Sequence, residues 1–594
     1  MTVSPNTLVG DVVSIDIKVD GKALDDAIFV TEIEVETAVN RLPHARICIA
    51  DGSAREEVFA ASNSGDFLPG KRIEVALGYN AKTQPVFAGV IRSHSVRMGA
   101  DGETALELGC ADPALVLTLA RNARLFTEMS DADCVTNILQ DAKLKATVKM
   151  DGAKAEHSVQ YAAKDWDYIL ARAEANGCVI RVQDGAVSVA PPAFETPVLS
   201  LRVGEAVSVM ELEIDAAQQV PEVTAHSWDP TKQVMADGQG VAPRITLGGT
   251  PDGTALASAI AQPGEVLRTD ATLAPKALEG WAAGRLLKSR LARLKGRVAF
   301  PGYAQVSVGD QVTLGGLGKT FDGDAWVSGV RHRVTSGRWD TEVRLGLDRR
   351  AFTDAKRDVS AAPAAGLAPG VAGLHIAKVL QIHDDPQGQD RIKVALPLVA
   401  GGEAGHWIRV ATPFAGAGAG IRFLPEVDDE VVLGFLQGDP NAAVMLGALH
   451  SGNRAAPTPA DEKNTVKEIA TTAGLKVQFD EEKKTLTLAT PGGHMVTLDD
   501  EAKAVKITDS TGNAVTLDDK GITLDAKGDL ALAASGAVTV KGQSVTGEAK
   551  TDLSLKGTNV TVEAQAALTA KGTAKAEFSA SGPVTVRGLP INLN

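Results

Sequence analysis

The sequence predicts a mainly β protein: β-barrels with short helices come first, a small five-stranded barrel follows, and an intertwined trimeric β-helix or prism ends the chain. Two observations carry this prediction. Apolar and polar residues alternate with a period of two in most of the patterned segments, and residues 484–594 repeat one short apolar phrase. Period-two alternation is typical of strands that bury one face.

Bulk properties limit the possible functions. A chain of 594 residues is long enough for three or more domains. Its net charge of -14 disfavours nucleic acids and anionic membranes as partners, and with 4% aromatic residues it offers few stacking surfaces. No apolar run approaches transmembrane length, and the first thirteen residues lack a signal-peptide pattern, so we expect synthesis and assembly in the cytoplasm. The four cysteines are widely spaced, which favours buried, reduced thiols.

The N-terminal block opens with a barrel or sandwich of about a hundred residues. Its predicted strands are 11–19, 28–36, 44–50, 71–79, 85–91 leading into 93–98, and 104–110. A helical patch follows, in which 131–142 and 165–177 have apolar residues on one face. In the second helix Asp165 suits the N-cap and Gly177 the C′ position, while Trp166, Ile169 and Leu170 form the apolar stripe with Ala173.

A second β-rich half runs from about 198 to 347. Its predicted strands include 223–229, 311–314, 325–334 and 341–347. Between them lies a predicted helix from Pro275 that ends before Gly296. The pattern places Ala283, Leu287, Leu291 and Leu294 on its inward face and leaves Leu278 and Trp281 off that stripe.

A Pro/Ala/Gly-rich linker at 359–373 separates this block from a compact all-β unit. The unit has five predicted strands, at 374–382, 391–396, 407–411, 430–435 and 443–449. Five short strands at this spacing predict an OB-fold barrel. Because its loops are acidic and its strands lack repeated exposed aromatics, we interpret it as a spacer rather than a module that binds nucleic acid or sugar.

The C-terminal run consists of phrases such as T-L-T-L (485–488), M-V-T-L (495–498), V-T-V (538–540) and V-T-V (584–586). From residue 522 onward, the first apolar residue of each phrase recurs after seven or eight positions. One chain of such short strands buries only one or two side chains per phrase, which is too little to offset ordering entropy. Stacking the phrases and wrapping three chains around one axis would bury a continuous interior.

Residues for catalysis or cofactor binding are not predicted. The loop G-G-L-G-K-T (315–320) lacks the first glycine of a phosphate loop and lies in a strand–turn–strand pattern, and A-G-A-G-A-G (415–420) lacks dinucleotide-binding spacing. Metalloprotease and nucleophile-elbow motifs are missing, the histidines are scattered, and we expect His332 and His406 to be structural. We predict no enzyme, no cofactor and no metal site.

Several phrases resemble VgrG-type central spike proteins of contractile injection systems. In the N-terminal block these are L-P-G-K-R-I-E-V-A-L-G (68–78), V-F-A-G-V-I (86–91), D-W-D-Y-I-L-A-R-A-E-A-N-G (165–177), S-W-D-P (227–230) and F-D-G-D-A-W-V-S-G-V-R-H (321–332). In the small barrel they are D-D-P-Q-G-Q-D-R-I-K-V-A-L-P (384–397), H-W-I-R-V-A (406–411), F-L-P-E-V-D-D-E-V-V-L-G-F-L-Q-G-D-P (423–440) and M-L-G-A-L-H-S (445–451). The resemblance implies a hub of two related barrels, so that a trimer presents six similar units to an Hcp-like hexameric inner tube.

The resemblance also divides the chain. It implies a hub at 1–358, a linker at 359–373, an OB-fold spike base at 374–456, a linker and lead-in to the needle at 457–483, and a trimeric β-helix needle at 484–594. The ending G-x-P-I-x-L-N resembles spike tips that carry a conical PAAR-type protein. The expected docking residues are Val584, Val586, Leu589, Pro590, Ile591, Asn592, Leu593 and Asn594.

The predicted function is therefore a structural homotrimeric hub-and-spike that contacts baseplate proteins and is ejected when the particle fires. Two alternatives stay open at this point: a trimeric β-solenoid tailspike that hydrolyses polysaccharide, and a passive adhesin. The hydrolase would need an aromatic-lined groove with two carboxylates about 5–9.5 Å apart. The needle offers only Phe578 among its late aromatics.

Overall fold

The computed structural model describes the chain except for residues 1–3, 6–9, 11, 54, 56, 101, 153 and 594. The chain divides into two compact units, Met1–Leu449 and His450–Asn594. The structure is 38% strand and 13% helix. The prediction of a mainly β fold is therefore confirmed.

The first part of unit 1 is a curved antiparallel sheet, as the alternation predicts. Its elements are β1 Val13–Val19, β2 Lys22–Ala23, β3 Val30–Ala38, β4 His44–Ala50, α1 Ala60–Asn63, β5 Arg72–Tyr79, β6 Lys82–Met98 and β7 Thr104–Ala111. The segments predicted at 85–91 and 93–98 form one long strand, β6, with a register shift between Ile91 and Ser93. Inward residues of β3, β4, β5 and β7 make a core in which Ile33, Ile73 and Leu108 are fully buried.

A helical layer follows the first sheet. Its elements are β8 Arg121–Met129, α2 Asp131–Asp141, β9 Lys145–Val148, β10 Ala155–Lys164, α3 Asp165–Ala175, β11 Val179–Gln183 and β12 Ala186–Ala190. The predicted stripe on α3 is confirmed, because Trp166, Ile169 and Leu170 are all buried with Ala173. Gly177 adopts φ +66° just past the helix, as a C′ glycine should.

The prediction that Asp165 caps α3 is wrong. Lys164 holds the N-cap position and makes no side-chain cap bond. Asp165 is the first helical residue, and its carboxylate accepts hydrogen bonds from Arg124, Gln160 and Asn122 on β8 and β10. A tertiary ion pair therefore replaces the local cap.

The second part of unit 1 contains another sheet and an inserted helical subdomain. Its elements are β13 Leu199–Arg202, β14 Val209–Glu213, β15 Val223–Asp229, β16 Val234–Gln239, α4 Gly253–Ala259, β17 Glu265–Thr269, α5 Pro275–Leu291, β18 Lys295–Pro301, β19 Gln311–Gly315, β20 Gly323–Thr335, β21 Arg338–Leu345 and α6 Phe352–Ala355. Pro275 lies in the first turn of α5, as predicted.

The predicted inward face of α5 is wrong in part. Leu278, predicted off the stripe, is fully buried with Ala282 and Leu286 against β15 and β16. Leu291 is buried on another side of the helix, where Leu287 packs beside it and Trp326. Because the helix packs against other elements on two sides, its buried residues do not form a single stripe. It also ends at Leu291, so Gly296 lies in β18 and is not the C′ residue.

One continuous ladder joins the two parts of unit 1. Its strand order is β14-β18-β21-β20-β3-β4-β7-β6-β5-β1-β2, with β19 and β13 branching from β20. The join is the antiparallel pairing of β3 with β20, from Ala38 opposite Gly329 to Glu32 opposite Thr335. Residues far apart in sequence thus form neighbouring strands of one wall.

The small barrel also belongs to unit 1. Its elements are β22 His375–Gln381, β23 Ile392–Ala395, β24 His406–Val410, β25 Ala415–Gly416, β26 Ala419–Gly420, β27 Glu430–Phe435 and β28 Ala443–Ala448. Five of these strands close in the order β22-β23-β24-β28-β27 around Val379, Val394 and Val431. The predicted five-stranded barrel is confirmed, and β25 with β26 forms a separate hairpin in the A-G-A-G-A-G segment.

Unit 2 begins with an antiparallel meander. Its strands are β29 Val466–Ala470, β30 Lys476–Asp480, β31 Thr485–Ala489, β32 Met495–Asp499, β33 Ala504–Thr508, β34 Ala514–Asp518 and β35 Gly521–Asp525, each paired with the next. The repeated phrases of the sequence predict the last five strands, β31–β35. Strands β29 and β30 were not predicted and lie in the predicted lead-in to the needle. From 526 to 593 no strand forms within this single chain, so the strands predicted there are not seen. Their apolar residues have no strand of the same chain to pair with.

Candidate assembly interface

One face of the unit 2 sheet is apolar except for Lys467 on the first strand. Each strand has five residues, so its second and fourth side chains point to the same face. The pairing aligns these positions in two rows across the sheet. One row is Ile469, Val477, Leu488, Val496, Ile507, Val515 and Leu524, and the other is Lys467, Phe479, Leu486, Leu498, Val505, Leu517 and Ile522.

Within their own chain these side chains are exposed or only half-buried. Ile507 is 45% exposed, Leu498 42% and Ile522 72%. The opposite face carries polar residues: Thr487 lies opposite Thr497, and Thr516 lies opposite Thr523. Burying one Val, Leu, Ile or Phe side chain stabilises a protein by roughly 1.5–3 kcal/mol. An uncovered face of this length therefore marks an interaction surface.

The segment 526–593 also has regularly spaced apolar residues, but it forms no sheet within the chain. Its apolar residues remain largely exposed, including Leu530, Val538, Leu553, Val560 and Leu568. Its backbone groups lack strand partners in the described part of this chain. Backbone amides and carbonyls need partners wherever they are buried. Strands from other copies could supply both the hydrogen bonds and the apolar cover.

The predicted tip residues lie at the end of this segment. Val584, Val586, Leu589, Ile591 and Leu593 are all exposed, with Leu589 and Leu593 at 102% and 90%. Pro590 and Asn592 are exposed as well, and Asn594 lies outside the described residues. The described tip residues are therefore near one another in sequence and exposed, and no strand includes them. Docking of a cap here stays a prediction.

The glycine-rich loops have the geometry of turns. Gly316 and Gly318 both have positive φ in the turn between β19 and β20, so no helix N-terminus follows as a phosphate loop requires. The segment 415–420 is the β25–β26 hairpin. Across the described residues, histidine, cysteine, aspartate and glutamate side chains do not gather in threes suited to a metal ion. None of the described helices has the length and apolar character needed to cross a bilayer.

The two singled-out histidines are in barrel walls. His332 on β20 is 5% exposed, and burial lowers its pKa to about 4, so the ring is neutral near pH 7. Its Nδ1 lies 3.0 Å from the Thr341 hydroxyl oxygen on β21. His406 begins β24 of the small barrel. Both positions suit packing within a sheet.

Three family models match the chain. The Alg8 N-terminal domain model covers residues 9–336, the type VI secretion system/phage-baseplate injector OB domain model covers 375–450, and the phage baseplate V C-terminal trimerisation domain model covers 485–569. The first match spans more than half of the chain. The second coincides with the closed small barrel, and the third with most of the apolar-faced sheet and part of the segment after it.

Curated relatives share shorter stretches. The chain is 31% identical over 119 residues to the type VI secretion system spike protein VgrG3 of Vibrio cholerae, which covers 18% of this chain and 11% of that protein. It is 30% identical over 189 residues to the spike protein VgrG2a of Pseudomonas aeruginosa, covering 28% and 22%. The chain thus spans less than a quarter of the length of these relatives.

The solved structures that align with this chain include a tail protein and a secretion-system component. A tail protein from Neisseria meningitidis aligns with a TM-score of 0.41 and 16% identity over 57% of this chain and 97% of that one. An Escherichia coli component of the type VI secretion system aligns with a TM-score of 0.35 and 14% identity over 73% and 99%.

Proposed function

Because the chain belongs to the VgrG-type spike proteins, with an Alg8 N-terminal domain ahead of the injector OB domain and the trimerisation domain, we propose that it is the homotrimeric hub-and-spike of a contractile injection system. Its work is mechanical. A rigid threefold needle transmits the thrust of contraction into a target envelope. The relatives quoted above are named as spike proteins, which favours a structural role over the tailspike alternative.

The observation that carries the proposal is the uncovered apolar face of β29–β35. Three copies would turn these faces toward one axis and form a prism, with the polar Thr-rich faces outside. Burial of two rows of Leu, Ile, Val and Phe side chains per copy would outweigh the loss of rotational freedom on association. The same axis would let three copies of 526–593 supply strands to one another.

Each proposed domain has its own role. Residues 1–358 would be the hub that adapts an Hcp-like hexameric inner tube to threefold symmetry, and 359–373 a linker. Residues 374–456 would form the OB collar, 457–483 the lead-in and 484–594 the needle. Baseplate proteins would surround the hub, and the particle would assemble in the cytoplasm before ejection.

A charge placed on the apolar face tests the trimer. We expect Leu498→Asp to abolish assembly, because three carboxylates would be buried in the prism, whereas Thr497→Asp on the opposite face should leave it intact. Light scattering of the purified full chain, with a protomer of 61.7 kDa, reads out the mass. A monomeric wild-type chain, or a trimeric Leu498→Asp variant, would contradict the proposal.

A further inference from the structure

The segment that follows the hub sheet is bound to the helices of the hub. The Phe352 amide donates to the Glu174 carboxylate on α3 at 2.8 Å, and Lys288 of α5 binds the same carboxylate at 2.6 Å. Lys356 binds the Asp167 carboxylate on α3 at 2.8 Å, and the Asp167 side chain is only 1% exposed. A buried carboxylate needs such a partner, so these contacts hold residues 352–356 against α3.

The start of the predicted linker is bound to the hub as well. Arg121 begins β8, and its guanidinium donates to the carbonyl oxygens of Asp358 at 2.6 Å and Val359 at 2.9 Å. It also donates to the Ala162 carbonyl oxygen on β10 at 3.0 Å. A guanidinium presents its donors in a fixed fork, so this one side chain joins two consecutive carbonyls of the linker to the β8–β10 sheet.

The rest of the predicted linker packs on the small barrel. Residues Pro363–Gly366 form one turn, which lies against the turn Leu436–Gly438 between β27 and β28. Ala364 is 3% exposed, and the Val371 amide donates to the Gly438 carbonyl oxygen at 2.8 Å. A composition rich in Pro, Ala and Gly is typical of a free spacer. Here the segment is instead packed between two folded parts of the chain.

The turn of this linker has a strained backbone. Ala364, Ala365 and Gly366 follow one another with φ of +52°, +53° and +76°. Glycine adopts such left-handed values readily, whereas a Cβ makes them unfavourable for alanine. Residues in these conformations persist only where the surrounding structure holds them. We therefore attribute the conformation of the turn to its packing on the small barrel.

We propose that residues 352–371 form a clamp that couples the small barrel to the hub, so that the two move as one body. Charged side chains hold its hub end, and close packing of a strained turn holds its barrel end. Strain lowers the local stability of the turn, so the barrel end opens before the hub end. The mechanical role of the clamp rests on the function proposed above, because a clamped linker would pass thrust without an elastic segment. The clamp itself does not depend on the trimer.

Hydrogen exchange of the full-length chain tests the clamp, with mass spectrometry of peptides that cover 352–359 and 360–373. We expect the slowest amides of 360–373 to exchange at least about tenfold more slowly than in an unstructured chain, because the Val371 amide is hydrogen-bonded. Ala364→Asp places a carboxylate at a buried position and should remove this protection. Ala365→Asp is the matched control, since its neighbouring position is exposed and has nearly the same φ, and it should keep the protection.

Two further variants separate the ends of the clamp. Ala365→Gly relieves the left-handed backbone and should slow the exchange of 360–373 by about twofold to fivefold. Arg121→Ala should speed the exchange of 352–359 by about tenfold, because hydrogen bonds from a charged group are lost. The strands of the small barrel, measured in the same experiment, should keep their protection in both variants.

The outcomes distinguish the clamp from the trimer. Exchange of 360–373 at the unstructured rate in the wild-type chain overturns the clamp, and equal exchange in Ala364→Asp and Ala365→Asp overturns its packing on the barrel. If Ala364→Asp also unfolds the barrel strands, Ala365→Gly decides, and unchanged or faster exchange there overturns the clamp. A trimer with an unprotected linker contradicts the clamp alone, whereas a monomer with a protected linker contradicts the trimer alone.

Discussion

Asp165 has the sequence pattern of a helix cap but makes contacts with residues distant in sequence. An aspartate before an apolar helical stripe is typical of an N-cap, yet its carboxylate accepts hydrogen bonds from Arg124, Gln160 and Asn122. Burial raises the pKa of Asp165, but these bonds outweigh it and hold the pKa below its usual range. The ion pair ties α3 to β8 and β10, so this residue stabilises the packing of the helical layer on its two-stranded sheet.

His332 makes the stability of the hub depend on pH. Burial lowers its pKa to about 4, so protons bind the unfolded chain first as the pH falls below about 6.5. The contribution of neutral His332 to the free energy of unfolding is therefore fully present above about pH 6.5. It is lost as the pH falls toward 4, by at most about 3 kcal/mol. The His332→Val variant should flatten this part of the melting-temperature profile.

The control for this prediction is an exposed histidine. His157→Val changes a side chain that is 56% exposed, and it should leave the slope between pH 6.5 and 4 as in the wild type. An unchanged slope in His332→Val, measured by thermal melting across that range, would show that other groups cause the acid sensitivity.

At the scale of the element, α5 depends on close approach to α3. Gly284 faces Gly177 just past α3, and a Cβ at Gly284 would lie 2.7 Å from the Glu174 carbonyl oxygen and 2.8 Å from the Gly177 nitrogen. Lys288, one turn further along α5, binds the Glu174 carboxylate at 2.6 Å. A small residue and an ion pair together fix the distance between the two helices.

Two glycines of α5 give a matched pair of variants. We expect Gly284→Ala to destabilise the protein by about 1–3 kcal/mol, because backbone on both sides must move to admit the methyl group. Gly280→Ala has open space around the new atom and should stabilise α5 by roughly 0.5–1 kcal/mol through helix propensity. Denaturant unfolding of the two variants compares them directly. A stabilised Gly284→Ala would show that the helices are not in close contact.

The two segments of the needle differ in how their backbone groups are paired. Strands β29–β35 pair with one another within one chain and leave only the outer edges of β29 and β35 unpaired, whereas 526–593 has no strand partner in its own chain. The first segment can therefore present a finished apolar face before assembly. The second segment depends on its neighbours for hydrogen bonds as well as for cover.

At the scale of the whole molecule, the proposed function depends on assembly with other copies and partners. The face of β29–β35 and the exposed C-terminal residues each lack cover that another molecule can supply. Surfaces that are covered only on assembly favour closed particles over free chains.

The tip gives a prediction for a partner. Removal of 583–594 should abolish binding of a PAAR-type cap protein in a pull-down, because the exposed Val586, Leu589 and Ile591 would be lost, while the shortened chain should remain trimeric. Ile591→Asp should weaken cap binding in the same way, and Thr585→Asp, at an exposed position outside the predicted docking residues, is its matched control. Cap binding that survives the truncation would place the docking surface elsewhere.

The sequence by itself determined most of the strands up to residue 525, the small barrel and the regular spacing of apolar residues in 484–594, because period-two alternation and turn residues are local properties of the chain. It also determined, through resemblance, the family. The tertiary structure decided what depends on distant partners: the ion pair of Asp165, the second buried side of α5, and the pairing of β3 with β20. It also showed that the predicted linker packs on both the hub and the small barrel, since the composition of a segment does not determine its partners. Registers between distant strands and the contacts of a linker are fixed by packing and not by any local pattern, and for this reason they were visible only in the fold.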